Sequence, residues 1–271
     1  MCHSCVTEAV KRSMLSRRQL FTGAAAIGAA SAASGILGAR AALAQSSGRV
    51  VDLTHAFDEK FPTFDGQPGM AKEWAVKIEE SGYQLWKLTI MEHSGTHIDA
   101  PLHFSADGAS VDQLPVEQLM APLCVVDITA KAMEDANAVV EPADIDAWVS
   151  VNKEIPQGAC VAMHSGWAAK VGSPEFRNTP DGAFAFPGFS KAATDMLAEM
   201  GVASIGVDTL SLDPGNSQDF AVHFSWLPGG RFGIENLAGL DQLPPAGATI
   251  FIGAPKIKDG TGGLARVVAV L

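Results

Sequence analysis

Short runs rich in β-branched and other apolar residues recur along the chain. They are Val50–Leu53, Gln84–Met91, Leu123–Ile128, Ala159–His164, Ala203–Val207, Thr249–Ile252 and Ala265–Val270. Gly, Pro, Asp or Asn bounds them, and these residues punctuate strands. The pattern therefore predicts β-strands at these places. Two other stretches carry helical spacing. Pro142–Val149 has proline near its first turn and sets Ile145, Trp148 and Val149 on one face. Ser190–Met200 opens on a capping serine, aligns Ala193, Met196, Leu197 and Met200, and stops at Gly201. Strands and helices mixed in this way predict an α/β class. The helices are too few for a regular βαβ barrel.

Residues 1–44 have a different pattern. The stretch "SRRQLF" (Ser16–Phe21) places adjacent arginines before a weakly apolar run of alanine and glycine. The run ends in Ala42-Leu43-Ala44, a small-x-small cleavage signal. Together these predict a Tat-type leader over residues 1–44, a domain over residues 45–271 and delivery to the periplasm. The alanine- and glycine-rich run is a poor spanning helix, and no later segment is apolar for long enough to cross a bilayer.

Composition narrows the partners. Apolar residues make up 47% of the chain and charged ones 18%, which suits one compact globular domain with a substantial core. The formal net charge is −11, and the leader carries away more basic than acidic residues. Such a surface repels nucleic acid and anionic membranes. Of four cysteines, Cys2 and Cys5 would leave with the leader. Cys124 and Cys160 lie in strand-like runs and are expected to be buried thiols, although an exported protein could also join them.

The chemistry concentrates in "HSGTHIDAPLHF", residues 93–104, which holds three of the seven histidines. A straight strand would put His93 and His97 about 13 Å apart, at roughly 3.3 Å per residue. Two nitrogens each about 2.0–2.1 Å from one zinc cannot be more than about 4 Å apart. A shared ion therefore requires a bend, and Gly95 is where the chain can make it. His97 and Asp99 already share a face of an extended segment. Two imidazoles and a carboxylate leave positions open for water and substrate, as catalytic sites do. Water bound there would lose a proton near neutral pH and become a nucleophile. His103, beyond the turn at Pro101, is placed to act as the acid–base group.

This stretch resembles the signature of the kynurenine formamidase-like cyclase family of metal-dependent hydrolases. His93, Gly95, Thr96, His97, Asp99, Pro101, His103 and Phe104 all stand in its pattern. "VVDLTH" (Val50–His55), "GVDTLSLDPG" (Gly206–Gly215), "IENLAGLDQLPP" (Ile234–Pro245) and "GTGGLARVVAV" (Gly260–Val270) resemble further blocks of that family. The resemblance implies a compact α/β fold with a swivelling β/β/α arrangement, a mixed sheet and a homo-oligomer. It also implies that His93, His97 and Asp99 hold one divalent metal, Mn²⁺ or Zn²⁺. In two-metal members Asp99 would bridge to a second ion held by His223 and Glu235, which are twelve positions apart. Isatin hydrolases, among the relatives, work with one ion.

By the same resemblance His103 is the general acid or base, and metal-bound water attacks a C–N bond of a small cyclic amide or aryl formamide. An ester or lactone, or a periplasmic binding protein for a small molecule or metal, are alternatives that use the same ligands. Two departures bear on the pocket. Phe64 stands where formamidases typically carry Trp, and His164 stands where relatives commonly carry Arg before Thr-Gly-Trp. Phe64 and Trp167 are the candidate substrate-binding residues.

Overall fold

A computed structural model describes residues 48–271; the expected leader, with Cys2 and Cys5, lies outside the described residues. The strands are β1 (Val50–Asp52), β2 (Met70–Val76), β3 (Leu85–Ile90), β4 (His97–Asp99), β5 (Met120–Asp127), β6 (Val139–Val140) and β7 (Cys160–His164). They continue as β8 (Gly188–Phe189), β9 (Ser204–Val207), β10 (Phe232–Glu235), β11 (Ala248–Gly253), β12 (Gly262–Leu264) and β13 (Arg266–Val270). The α-helices are α1 (Ile78–Ser81), α2 (Thr129–Glu134), α3 (Pro142–Asn152), α4 (Lys191–Glu199) and α5 (Ala221–Trp226). Each strand and helix expected from the sequence has a counterpart here. The sequence does not announce the strands β2, β4, β6, β8, β10 and β12 or the helices α1, α2 and α5.

The described residues divide into two units: 72–88, and 48–71 with 89–271. The smaller unit is a β2–β3 hairpin. Its single helical turn, α1, ends at Gly82, whose φ of 75° suits glycine and whose N–H bonds back to the Ile78 carbonyl. Alternation along the strands sorts its faces. Glu73 and Lys87 pair at 2.7 Å on one face. On the other, Trp74 and Trp86 stack with ring centroids 3.6 Å apart. Both rings and Leu88 remain exposed, at 42%, 39% and 50%.

The larger unit is built on a nine-stranded sheet in the order β1-β13-β11-β5-β7-β9-β10-β4-β12. The central strands β5, β7, β9 and β10 run parallel. The flanking pairs are antiparallel. This mixed sheet with its helices is the α/β class expected from the sequence. Strands β7 and β9 read as nearly continuous apolar runs because both their faces are buried. One core layer takes Leu123, Val125, Cys160, Ala162, Ile234 and Ile250. The other takes Cys124, Val126, Val161, Met163 and Val207, with Ile145 and Trp148 of α3 and Ala193 and Leu197 of α4. The indole N–H of Trp148 donates to the Val125 carbonyl at 2.9 Å, tying α3 to the sheet. Ser190 caps α4 by accepting the Ala193 N–H.

Strand alternation also decides the cysteines. Cys160 pairs in register with Leu123, and Cys124 with Val161. Their side chains enter opposite core layers, so both remain thiols. Burial pushes their pKa values up, to about 11 for Cys124 and about 12 for Cys160, which suppresses thiolate chemistry.

At the ends of neighbouring strands β7 and β9 lies a second ionic feature. Asp208 is fully buried and accepts the Ser165 N–H and hydroxyl and the Trp167 N–H. His164 Nδ1 lies 3.5 Å from its Oδ2. The Asp208 carboxylate raises the His164 pKa above 6.5, against the lowering effect of partial burial. A raised folded-state pKa gives stability that is complete below the ordinary value and is lost as pH rises through the raised one. A His164→Gln variant should therefore melt below wild type at pH 5.5 by about 1–2 °C, and the gap should close by pH 9. Scanning calorimetry that finds the same gap at both pH values would refute this role for the pair.

Candidate metal centre and reaction chamber

Sheet register assembles the centre. In β4, His97 and Asp99 lie two residues apart and share a face. Antiparallel pairing sets Glu235 of β10 directly opposite His97, and Gly233 opposite Asp99. Helix α5 supplies His223. The segment before β4 supplies His93, and the 3-10 turn over Pro101–His103 supplies His103. Gly95 makes the expected bend, with φ of 64°, and a Cβ there would come within 2.9 Å of Phe57.

The resulting cluster is tight. His97 Nε2 is 3.3 Å from Asp99 Oδ1 and 3.3 Å from Glu235 Oε2. His223 Nε2 is 3.5 Å from Asp99 Oδ2 and 3.4 Å from Glu235 Oε1. His93 Nδ1 is 2.6 Å from Asp99 Oδ1, and the His103 ring stacks on that of His93 at 3.7 Å. His97, Asp99, His223 and Glu235 are all buried.

Each of three histidines has one nitrogen tied away from the cluster. His97 Nδ1 lies 2.9 Å from the Gly95 carbonyl, which can only accept, so in the neutral ring it is Nε2 that carries the lone pair. His223 Nδ1 lies 2.6 Å from Asp213, which also accepts the N–H groups of Val222 and His223 at the start of α5. His93 Nε2 lies 2.9 Å from the Thr261 hydroxyl, which donates its own proton to Glu92 at 2.6 Å. That hydroxyl therefore accepts from His93, and Nδ1 faces inward. Outer partners of this kind fix the tautomer and orientation of metal-binding imidazoles.

Two inward atoms, His97 Nε2 and Asp99 Oδ2, are buried without a hydrogen-bond partner. Orphaned buried polar atoms are costly, and a cation placed among them would satisfy both. The donor set of imidazoles and carboxylates fits Mn²⁺ or Zn²⁺.

The ligand atoms fall into two compact groups, His93–Asp99–His103 and His97–Asp99–Glu235, with Asp99 in both. His223 Nε2 approaches both Asp99 and Glu235 as well. Register puts His97 against Glu235, while stacking brings His103 beside His93. His103 thus stands at ligand distance as well as in reach of a reacting group.

Protonation follows the geometry. Burial lowers the pKa of His97, but Asp99 and Glu235 outweigh it and carry it to about 10. Burial opposes the charge of Asp99, yet His223, His93 and His97 hold its carboxyl well below the usual range. For His223, Asp213 with Asp99 and Glu235 overcomes burial and raises the pKa well above 6.5. His103 goes the other way: burial lowers it to about 4.

Above the cluster opens a chamber of about 270 Å³. Phe64, Phe104, Leu210 and Phe220 form its apolar wall, facing His93, His97, His103 and His223. Of the two candidate substrate-binding residues, Phe64 is part of this wall. Trp167 is not: it is 3% exposed, donates its indole N–H to the Phe176 carbonyl and packs on Phe176, Phe186 and Leu210. The Trp167 amide is anchored to Asp208, which turns the ring into the core behind Leu210. Several site residues escaped the sequence reading. Asp213, Thr261 and Glu92 carry no spacing signal, although two of them lie in blocks noted above. Asn236 holds a φ of 57° and donates its amide to the Gly95 carbonyl, bracing the bend.

Comparison with known proteins agrees with this geometry. The Cyclase family model matches residues 51–214. The isatin hydrolase of Roseibium aggregatum is 29% identical over 261 residues, covering 89% of this chain and 98% of the relative. The kynurenine formamidase of Salinibacter ruber is 27% identical over 224 residues, covering 81% of this chain and 96% of the relative. The solved structure of isatin hydrolase A from Ralstonia solanacearum superposes with a TM-score of 0.79 at 33% identity, covering 90% of this chain and 100% of that one. With the motif, the fold and these relatives in agreement, the chain belongs to the cyclase family of hydrolases.

Proposed function

We propose that this protein is an exported, metal-dependent hydrolase that cleaves a C–N bond of a small cyclic amide or aryl formamide. One observation carries the reading: the unpartnered buried atoms His97 Nε2 and Asp99 Oδ2 belong to a cluster whose histidines line an aromatic-walled chamber. His93, His97, Asp99, His223 and Glu235 would hold one or two divalent ions, Mn²⁺ or Zn²⁺. When bound, such an ion lowers the pKa of water to near neutrality and polarises a carbonyl. The named isatin hydrolase and kynurenine formamidase relatives support a compact aromatic amide as the substrate.

The chain's own groups supply the rest. Phe64, Phe104 and Phe220 offer ring faces to an aryl amide and exclude water around it. His103 accepts a proton from the attacking water and returns it to the leaving nitrogen as the C–N bond breaks and the C–O bond forms. A cyclic amide opens to an amino acid, and an aryl formamide yields formate and an arylamine.

Isatin hydrolysis by the purified protein, lost to a chelator and restored by Mn²⁺ or Zn²⁺, is the expected result. Tight calorimetric binding of cyclic amides with no turnover would instead mark a binding protein. His103→Ala should cut the rate by about 10²–10⁴-fold with metal content unchanged. Metal lost from that variant, measured by atomic emission, would make His103 a ligand instead. His97→Ala should lose both metal and activity.

Export and assembly belong to the same proposal. The twin-arginine leader directs the chain to the periplasm, which N-terminal sequencing of the exported protein checks. A second copy of this chain is the partner that fits the apolar face of the hairpin. Trp74, Trp86 and Leu88 are exposed there, and a two-stranded ribbon is marginally stable alone. Trp86→Glu should shift the sedimenting species to the monomer; an unchanged assembly would exclude this face.

A further inference from the structure

A second cavity, of about 490 Å³, adjoins the reaction chamber. The two share Thr63, Phe64, His93 and Ser94. Beyond Phe64 the second cavity is lined by Pro68, Ile90 and Met91, among others. Phe64 therefore stands between two spaces that would together admit a substrate larger than one fused ring. Its loop, residues 61–69, closes partly on itself: the Thr63 hydroxyl donates to the Gln67 carbonyl at 2.6 Å, and Gln67 N–H donates to Asp65.

From outside the loop comes Arg177. Its Nε donates to the carbonyls of Thr63 and Phe64, at 3.1 Å each, and its Nη2 donates to the Phe64 carbonyl at 2.8 Å. Its Nη1 donates to Asn178 at 2.7 Å. The same guanidinium lies 4.5 Å from the Phe184 ring centre. Phe184 in turn stacks on the Phe64 ring, with centroids 4.8 Å apart and planes 27° apart. One side chain thus holds both the backbone of Phe64 and the ring beneath it. Gly66 turns under the guanidinium with φ of 74°, where a Cβ would lie 3.6 Å from the Arg177 Cζ.

We propose that Arg177 is a positioning residue that sets substrate size: it latches the 61–69 loop so that Phe64 partitions the reaction chamber from the neighbouring cavity and confines the substrate to one compact aromatic system. This rests on the reading of the chamber as the amide site. The planar fork matters, because a lysine could make one of these bonds but could neither span both carbonyls nor lie flat on Phe184. Release of the latch should let Phe64 swing, merge the two spaces and exchange affinity for a small ring against tolerance of a large one.

The test uses the full-length protein as wild type, Arg177→Ala, Arg177→Lys, Phe64→Ala and the double variant. Amide hydrogen exchange at residues 63–67 reads the latch without any substrate, and should quicken in Arg177→Ala. Calorimetric Kd and steady-state kinetics with isatin and 5-phenylisatin read the partition. Arg177→Ala should weaken isatin binding about tenfold, leave kcat within about twofold and improve the relative affinity for 5-phenylisatin. Arg177→Lys should fall between it and wild type. In the Phe64→Ala background, removing Arg177 should change the ratio no further, since both act through one ring. Unchanged exchange, an unchanged ratio, or additive effects in the double variant would each overturn the proposal, as would a wild type that binds neither compound. A wild type that binds isatin without hydrolysing it would remove the hydrolase reading and leave the Kd ratio to decide the latch.

Discussion

The structure turns on the buried carboxylate of Asp99. It lies within 2.6–3.5 Å of inward-facing nitrogens on His93, His97 and His223. Glu235, a second buried carboxylate, stands against His97 and His223. Two negative groups at such depth are tolerated only with positive charge among them. Protons on the imidazoles can provide it, which is why His97 and His223 are pushed far up. A divalent ion can provide it too, and then the same nitrogens act as lone-pair donors. Either way the outer nitrogens must be held, and Gly95, Asp213 and the Thr261–Glu92 pair hold them.

The sheet makes that arrangement rigid. His97 and Glu235 converge because β4 and β10 pair antiparallel in a register that a one-residue slip would destroy. Between β9 and β10, which are parallel neighbours, the chain crosses over through α5. That crossover is what delivers His223. His97, Asp99, Glu235 and His223 sit on strands and a helix, whereas the walls of the chamber are loops. Phe64, Phe220 and Leu210 all lie outside strands, where a scaffold can change specificity without disturbing its core.

The main strands were legible in the chain because burial writes itself as unbroken apolar runs bounded by turn residues. Helices α3 and α4 were legible because one buried stripe and a cap repeat at helical spacing. Strands such as β4, β10 and β12 were not, since polar donors or glycines break up their few apolar positions. The hairpin was only half visible: β3 reads as a run, but β2 interleaves Lys72 and Glu73 with its apolar positions and so resembles a loop.

The sequence alone determined the donors and the bend. His93, His97, Asp99 and His103 crowd one stretch, and Gly95 is the residue there that can take a positive φ without penalty. Only the tertiary structure decided how those donors are shared. Cross-strand register, not sequence distance, sets His97 against Glu235, and ring stacking sets His103 beside His93. It also decided that Trp167 is core and Phe64 is wall. Both are aromatic residues outside the strands and α-helices, and their residue type does not distinguish them. The difference is whether a buried carboxylate, Asp208, or a half-buried arginine, Arg177, holds the backbone beside them.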